Sequence, residues 1–114
     1  MGLNKIQRFS KECLEDITYP DKSTSWHVEG RLKNKSNQNF KFDVGGMVNM
    51  PNNEKVKKGS ALSKADKMVF EDPHYWIIID LKELHLYLKE KKLQKVYLQD
   101  LIDNLEWNIL LSKK

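Results

Sequence analysis

The chain has 114 residues, a formal net charge of +4, and a composition that is 39% hydrophobic and 32% charged. This length suits one core that buries roughly two-thirds of the surface exposed by the unfolded chain, so we expect a single domain spanning residues 1–114. One cysteine excludes an intramolecular disulfide and a zinc site made from several cysteines. The first residues lack the apolar segment of a secretory signal, and the longest strongly apolar run is too short to cross a membrane. We therefore expect a cytoplasmic protein without a membrane partner.

The first element is predicted to be an amphipathic helix. Apolar residues recur at steps of three and four over residues 3–17, and the pattern stops before Pro20. Cys13 lies on this apolar stripe. We interpret it as a small buried hydrophobe rather than a reactive thiol, because the sequence places no histidine or basic pocket beside it.

The next segment predicts an antiparallel hairpin. Polar and apolar residues alternate over residues 26–33 and again over residues 40–44, with an asparagine-rich turn between them. Gly45 and Gly46 then interrupt the second strand, which indicates a bulge or a close backbone approach. They lack the further glycines and the following helix of a dinucleotide fingerprint.

Residues 51–67 have the composition of a lysine-rich loop, and two strands are predicted to follow it. The first strand covers residues 68–70, and residues 71–74 form a turn around Pro73. Residues 75–79 contain no polar side chain. A strand that is apolar on both faces belongs inside a sheet that is covered on both sides.

Two helices are predicted for the C-terminal part. Asp80 and Glu83 have the spacing of a capping box, and the apolar residues after them share one helix face. A second apolar stripe runs over residues 98–109; residues 96–98 suit either a short strand or the entry to that helix. We expect an α+β fold with an N-terminal helix, an antiparallel sheet of about four strands, and two C-terminal helices packed on the sheet.

No catalytic, metal or cofactor motif is present. His27, His74 and His85 lie on three different predicted elements without metal-ligand spacing, so we expect no metal and no cofactor. The alternative of an enzyme with a composite site rests on residues 71–75, where Glu71, Asp72 and His74 could perform acid–base chemistry. Pro73 between them favours a turn, and we expect a non-enzyme.

Lysines form two candidate contact surfaces for a nucleic acid or a protein. Of the 20 cationic residues, 18 are lysine and only Arg8 and Arg31 are arginine, whereas bidentate readout of phosphates and guanines favours arginine. Lysine therefore favours an ordinary solvated surface over a nucleic-acid surface. The candidate residues are, in the loop, Lys55, Lys57, Lys58, Lys64 and Lys67, and, between the last two helices, Lys89, Lys91, Lys92 and Lys95.

The C-terminal part also separates its charges. The region around residues 82–95 is basic, whereas the last predicted helix carries Asp100, Asp103 and Glu106 on its outer face. Segregated charge suits docking on another protein. The acidic face of the last helix would repel a phosphate backbone. Trp107 lies off the apolar stripe, and we interpret it either as a side chain at the edge of the core or as an interface anchor.

These observations predict a small non-catalytic binding protein that acts by protein–protein interaction. An immunity protein, an enzyme inhibitor and an accessory subunit of bacterial, phage or mobile-element origin all match this description. Such proteins cover a partner's surface and need no motif. The alternative is a nucleic-acid-binding accessory protein that uses the lysine-rich loop, with salt-sensitive binding.

Overall fold

The computed structural model describes residues 4–21, 26–35, 37–48, 55–57 and 63–113 and has an α+β fold. Within these ranges the chain forms three helices and eight strands. Their order is α1 (Lys5–Cys13), β1 (Leu14–Thr18), β2 (Val28–Leu32), β3 (Asn39–Met47), β4 (Lys55–Lys57), β5 (Lys67–Glu71), β6 (Tyr75–Asp80), α2 (Leu81–Lys91), β7 (Lys95–Tyr97), α3 (Leu98–Asn104) and β8 (Asn108–Ser112).

The main sheet has six strands in the order β1-β2-β3-β5-β6-β8, and β4 pairs with β7 in a separate two-stranded sheet. Strands β3 and β5 are parallel, while the other neighbours are antiparallel. The prediction of an antiparallel sheet of about four strands therefore matches only in part, because the sheet has six strands and one of its five strand pairs is parallel. The connection from β3 to β5 passes through β4 instead of a tight turn, so β5 enters the sheet in the direction of β3.

The first helix is shorter than its apolar stripe. Asn4 and Gln7 form a capping box at its start, and the helix ends at Cys13. Leu14 then lies opposite Leu32 in the β1–β2 pair, and Arg31 forms ion pairs with Glu15 and Asp16. The prediction of helix as far as residue 17 is wrong because these contacts from the neighbouring strand favour an extended chain.

The sheet is covered on both faces. On one face, Phe9 from α1 packs edge-to-face against Phe42 and Trp76, with ring centroids 5.3 and 5.4 Å apart. On the other face, α2 and α3 bury leucines against the sheet. Strand β6 connects the two layers, since Trp76 and Ile78 belong to the first and Ile77 and Ile79 to the second. The predicted all-apolar inner strand is confirmed.

The second strand of the predicted hairpin contains the expected irregularity. β2 and β3 are antiparallel as predicted, and the register of β3 with β5 shifts between Val44 and Met47. A Cβ atom added at Gly45 would lie 3.2 Å from the carbonyl oxygen of Val69. The prediction of a bulge or a close backbone approach is therefore confirmed, and the close approach favours glycine at position 45.

The last helix is also shorter than predicted. Helix α3 ends at Asn104, and the Glu83 carboxylate accepts hydrogen bonds from the backbone N–H groups of Glu106 and Trp107 at 3.0 and 3.1 Å. The Asn108 side-chain amide donates to the carbonyl oxygen of Leu105 at 2.8 Å. These contacts stabilise a turn where the apolar stripe predicted more helix, and β8 follows it along β6.

Among the described residues, no helix is long and apolar enough to cross a membrane.

Candidate partner interface

The two-stranded sheet gathers lysines from both predicted clusters, and we call Lys55–Lys57 and Lys95–Tyr97 together the lysine ribbon. Lys57 lies directly opposite Lys95, and Lys55 lies opposite Tyr97. The middle pair, Val56 and Val96, is buried in the core below the sheet. Because side chains alternate along a strand, the lysines on either side of the valines face outward.

The lysine ribbon brings two positive charges together at directly opposed positions. In the part of the chain that the structure describes, neither Lys57 nor Lys95 forms an ion pair. Like charges at directly opposed positions of an antiparallel pair are destabilising. The Lys55 ammonium lies 5.5 Å from the centroid of the Tyr97 ring, where a cation is attracted to the ring face.

A hollow of about 280 Å³ lies beside the lysine ribbon and mixes apolar with charged side chains. Leu93, Val96 and Tyr97 provide the apolar part, while Lys55, Lys95 and Asp100 surround it. Tyr97 is 46% exposed and lies beside this hollow. Exposed tyrosines of this kind are frequent anchors in protein interfaces.

The remaining predicted lysines of the second cluster lie immediately before the lysine ribbon in the chain. Lys89 and Lys91 occupy the last turn of α2, and Lys92 caps it in the left-handed conformation with φ 56°. All three are exposed. They extend the basic surface from the helix end toward β7. Asp103 is exposed on α3 and accepts a hydrogen bond from Gln99 at 3.0 Å.

Two candidate residues are packed at the edge of the core instead. Lys67 is 5% exposed, and its ammonium lies 2.7 Å from Asp80 and 3.6 Å from the centroid of the Trp107 ring. Trp107 is half-buried and packs edge-to-face against Phe40. We therefore leave Lys67 and Trp107 out of the contact surface. Lys64 is exposed, and Lys58 lies outside the described residues.

Sequence reasoning missed a buried ion cluster around Glu71. Glu71 is 1% exposed, and its carboxylate accepts two hydrogen bonds from the Arg8 guanidinium and one from Lys113 at 2.6 Å. Burial alone would raise the pKa of Glu71, but the hydrogen bonds and charges of Arg8 and Lys113 outweigh it and hold the pKa below its ordinary value. Arg8 and Lys113 are 63 and 42 residues away from Glu71 in the sequence, so no local pattern could have indicated the cluster.

The residues considered for catalysis have structural roles. The Asp72 carboxylate accepts a hydrogen bond from the backbone N–H of His74 at 2.8 Å, which closes the turn between β5 and β6. Burial raises the pKa of the Cys13 thiol to about 12, which favours the inert protonated form. Within the described ranges, no group of three histidine, cysteine or acidic side chains could hold a metal ion. His27, His74 and His85 therefore do not form part of such a group.

No protein-family model matches the chain, and neither a curated protein nor a solved structure gives a significant match.

Proposed function

We propose that the protein is a non-catalytic binding protein that acts by protein–protein interaction through the lysine ribbon. The Lys57–Lys95 pair is the observation that carries the proposal. Opposed ammonium groups oppose the pairing of β4 with β7, and an acidic partner surface would relieve that repulsion. The destabilising arrangement is then compensated in the complex.

Mixed charge around the lysine ribbon favours a protein over a nucleic acid as the partner. Asp100 lines the hollow beside Lys55 and Lys95, and Asp103 is exposed on the same helix. A phosphate backbone would be repelled by these carboxylates, whereas a protein surface can place a cation opposite each of them. Both arginines of the chain also have carboxylate partners within the fold.

The proposed partner presents an acidic rim around an apolar pocket. Tyr97 would enter that pocket, because tyrosine is enriched among interface anchors and this ring is 46% exposed. Lys55, Lys57 and Lys95 would pair with the rim. We propose that binding covers a functional surface of the partner, as in an immunity protein, an enzyme inhibitor or an accessory subunit of bacterial, phage or mobile-element origin acting in the cytoplasm.

Site-specific crosslinking tests this proposal. A photo-reactive phenylalanine analogue at position 97 should capture a single partner in stoichiometric amount from cells of the source organism. The matched control carries the analogue at Leu86, which is 47% exposed on α2 and has the same accessibility as Tyr97. The adduct at position 97 should disappear when Lys57→Glu is added. Equal labelling at positions 97 and 86, or no protein adduct at 97, contradicts the proposal.

A second candidate function is nucleic-acid binding by an accessory protein. The convergence of Lys55, Lys57 and Lys95 on one side of the lysine ribbon supports it. It predicts binding to labelled DNA or RNA that weakens steeply as salt rises and that Lys57→Glu also weakens. Fluorescence anisotropy at two salt concentrations separates the candidates, since the protein-binding proposal predicts no such affinity even at low salt.

A further inference from the structure

A second hollow, of about 800 Å³, lies between α1, the turn after β2 and the end of β8. We call it the basic hollow. Arg8, Lys11, Lys33 and Lys113 line it, and Glu12 is the one acidic residue among the described lining residues. The half-buried Leu111 forms its apolar part, and the fully buried Trp76 ring lies against Arg8 and Lys113. The volume is within the usual range for a small-molecule site.

The charge of the basic hollow matches a doubly charged anion. Four cationic side chains line it, and the two carboxylates beside them are Glu12 and the buried Glu71. The surplus is two positive charges. A phosphomonoester carries a charge between −1.5 and −2 at neutral pH, whereas a carboxylate carries only −1. The phosphomonoester therefore neutralises the surplus more completely.

Two of these cations are held in place before any ligand binds. Two nitrogens of the Arg8 guanidinium donate to Glu71, which leaves further N–H groups on a side chain that is 37% exposed. The Lys113 ammonium donates to the same carboxylate and lies 5.1 Å from the centroid of the Trp76 ring. Fixed donors bind an anion at a smaller entropic cost than mobile surface lysines do.

The other two cations are Lys11, on the same helix as Arg8, and Lys33, which follows β2. The Lys33 ammonium donates to the backbone carbonyl oxygen of Lys11 at 2.8 Å, so it is fixed close to α1. The Lys11 side chain itself is exposed. The Glu12 carboxylate accepts a hydrogen bond from the Trp76 indole at 3.3 Å, which fixes its position in the basic hollow.

We infer that the basic hollow binds a small organic phosphomonoester. The phosphate lies between Arg8, Lys33 and Lys113, and the organic group packs on the apolar part beside Leu111. This site is separate from the lysine ribbon, because α1 and the sheet layer of Val56 and Val96 lie on opposite faces of the sheet. The inference therefore does not depend on the proposed function.

Phenyl phosphate is a suitable probe. We expect a ¹⁵N-labelled sample titrated at constant ionic strength to show saturable shifts of the Trp76 indole resonance, with tighter binding than inorganic phosphate and no binding of phenol. Lys33→Gln should weaken the affinity about tenfold, as expected for the loss of one charge-assisted contact. Lys82→Gln is the matched control, because it removes an exposed lysine from α2 on the other face of the sheet.

Three results would overturn the inference. The first is the absence of saturation at phenyl phosphate concentrations up to about 10 mM, because the affinity would then be weaker than a built site provides. The second is an equal loss of affinity in Lys33→Gln and Lys82→Gln, which would indicate attraction by net charge alone. The third is equal affinity for inorganic phosphate and phenyl phosphate, which would remove the role of the apolar part.

Discussion

Two regions of the molecule place basic side chains close together, and they differ in what neutralises the charge. Arg8 and Lys113 share the buried carboxylate of Glu71. Lys57 and Lys95 face each other across the lysine ribbon, with no ion pair to either among the described residues. The first arrangement stabilises the fold, while the second opposes it. The comparison shows that cations stabilise the fold where they share a buried carboxylate, and destabilise it where they oppose each other without an ion pair.

Burial explains why the Glu71 cluster affects stability more than the repulsion between Lys57 and Lys95 does. Removing a carboxylate from water is costly, so Glu71 requires both cations, and the loss of any member leaves a buried group without its partner. The lysines of the ribbon remain in water, where screening makes their repulsion small. A weak repulsion can persist in the free protein and still be relieved on binding.

Glu71→Gln should have the largest effect on stability. The amide removes the negative charge and leaves Arg8 and Lys113 facing each other, which we expect to lower the free energy of unfolding by about 3–5 kcal/mol. Urea denaturation measures the change. Glu90→Gln, an exposed carboxylate on α2, is the control and should stay within about 0.5 kcal/mol of the wild type. A loss below about 1 kcal/mol for Glu71→Gln would contradict the comparison.

Acidification should remove the stabilisation that the Glu71 carboxylate provides. The pKa of Glu71 is lower in the folded protein than its ordinary value of 4.5, so its stabilisation is complete above that value and is lost as the pH falls through the folded pKa. The advantage of the wild type over Glu71→Gln should therefore narrow below pH 4.5. Urea denaturation of both proteins at a series of pH values measures it. An advantage that stays constant into strong acid would show that the carboxylate charge is not what stabilises the cluster.

Lys113→Met should have an intermediate effect. Arg8 still provides two hydrogen bonds to Glu71, so only one charged contact is lost, and we expect a destabilisation of about 1–3 kcal/mol. Lys82→Met is the control for the change of an exposed lysine to methionine. If Lys113→Met and Glu71→Gln cost the same, Arg8 contributes nothing by itself.

Lys57→Glu should have the smallest effect and the opposite sign. Replacing the opposed ammonium pair by a Glu–Lys pair should raise the free energy of unfolding by about 0.2–1 kcal/mol. The double variant Lys57→Glu with Lys95→Glu restores a like-charged pair and should lose this gain, which a double-mutant cycle isolates. A destabilised Lys57→Glu variant would show that the lysine ribbon is not under electrostatic repulsion.

The part of the fold that was predictable from the sequence is the part governed by neighbouring residues. The apolar strand β6 and the start of α2 both follow from local sequence patterns. The Asp80 side chain accepts a hydrogen bond from the backbone N–H of Glu83 at 3.0 Å, as the spacing of the two residues predicts. The other half of the predicted capping box is absent. The Glu83 side chain instead accepts hydrogen bonds from residues 106 and 107.

Distant contacts determined the elements that were predicted wrongly. An apolar stripe fits both a helix and a strand where β1 begins, and Leu32 and Arg31 on β2 decide for the strand. Residues 105–109 continue the stripe of α3, yet contacts with Glu83 end the helix. The parallel pairing of β3 with β5 spans the segment with the weakest pattern in the chain, so its direction had no local signal.

The candidate sites also combine features visible in the sequence with features that depend on distant contacts. Lysines 55, 57 and 95 were identified from the sequence, because clusters of charge are visible along the chain, although their pairing across two strands was not. Lys67 belongs to the same loop by composition but is buried against Asp80. The basic hollow was not predicted, since its walls come from the first helix, the turn after β2 and the end of β8.

The Glu71 cluster also links the first helix to the last described strand. If β8 detaches, Glu71 loses Lys113; if α1 detaches, it loses Arg8. Local opening of either element therefore exposes a poorly neutralised carboxylate and makes opening of the other easier. The two elements should exchange their amide hydrogens as one cooperative unit, with closely similar opening free energies, although Cys13 at the end of α1 and Asn108 at the start of β8 are 95 residues apart in the sequence.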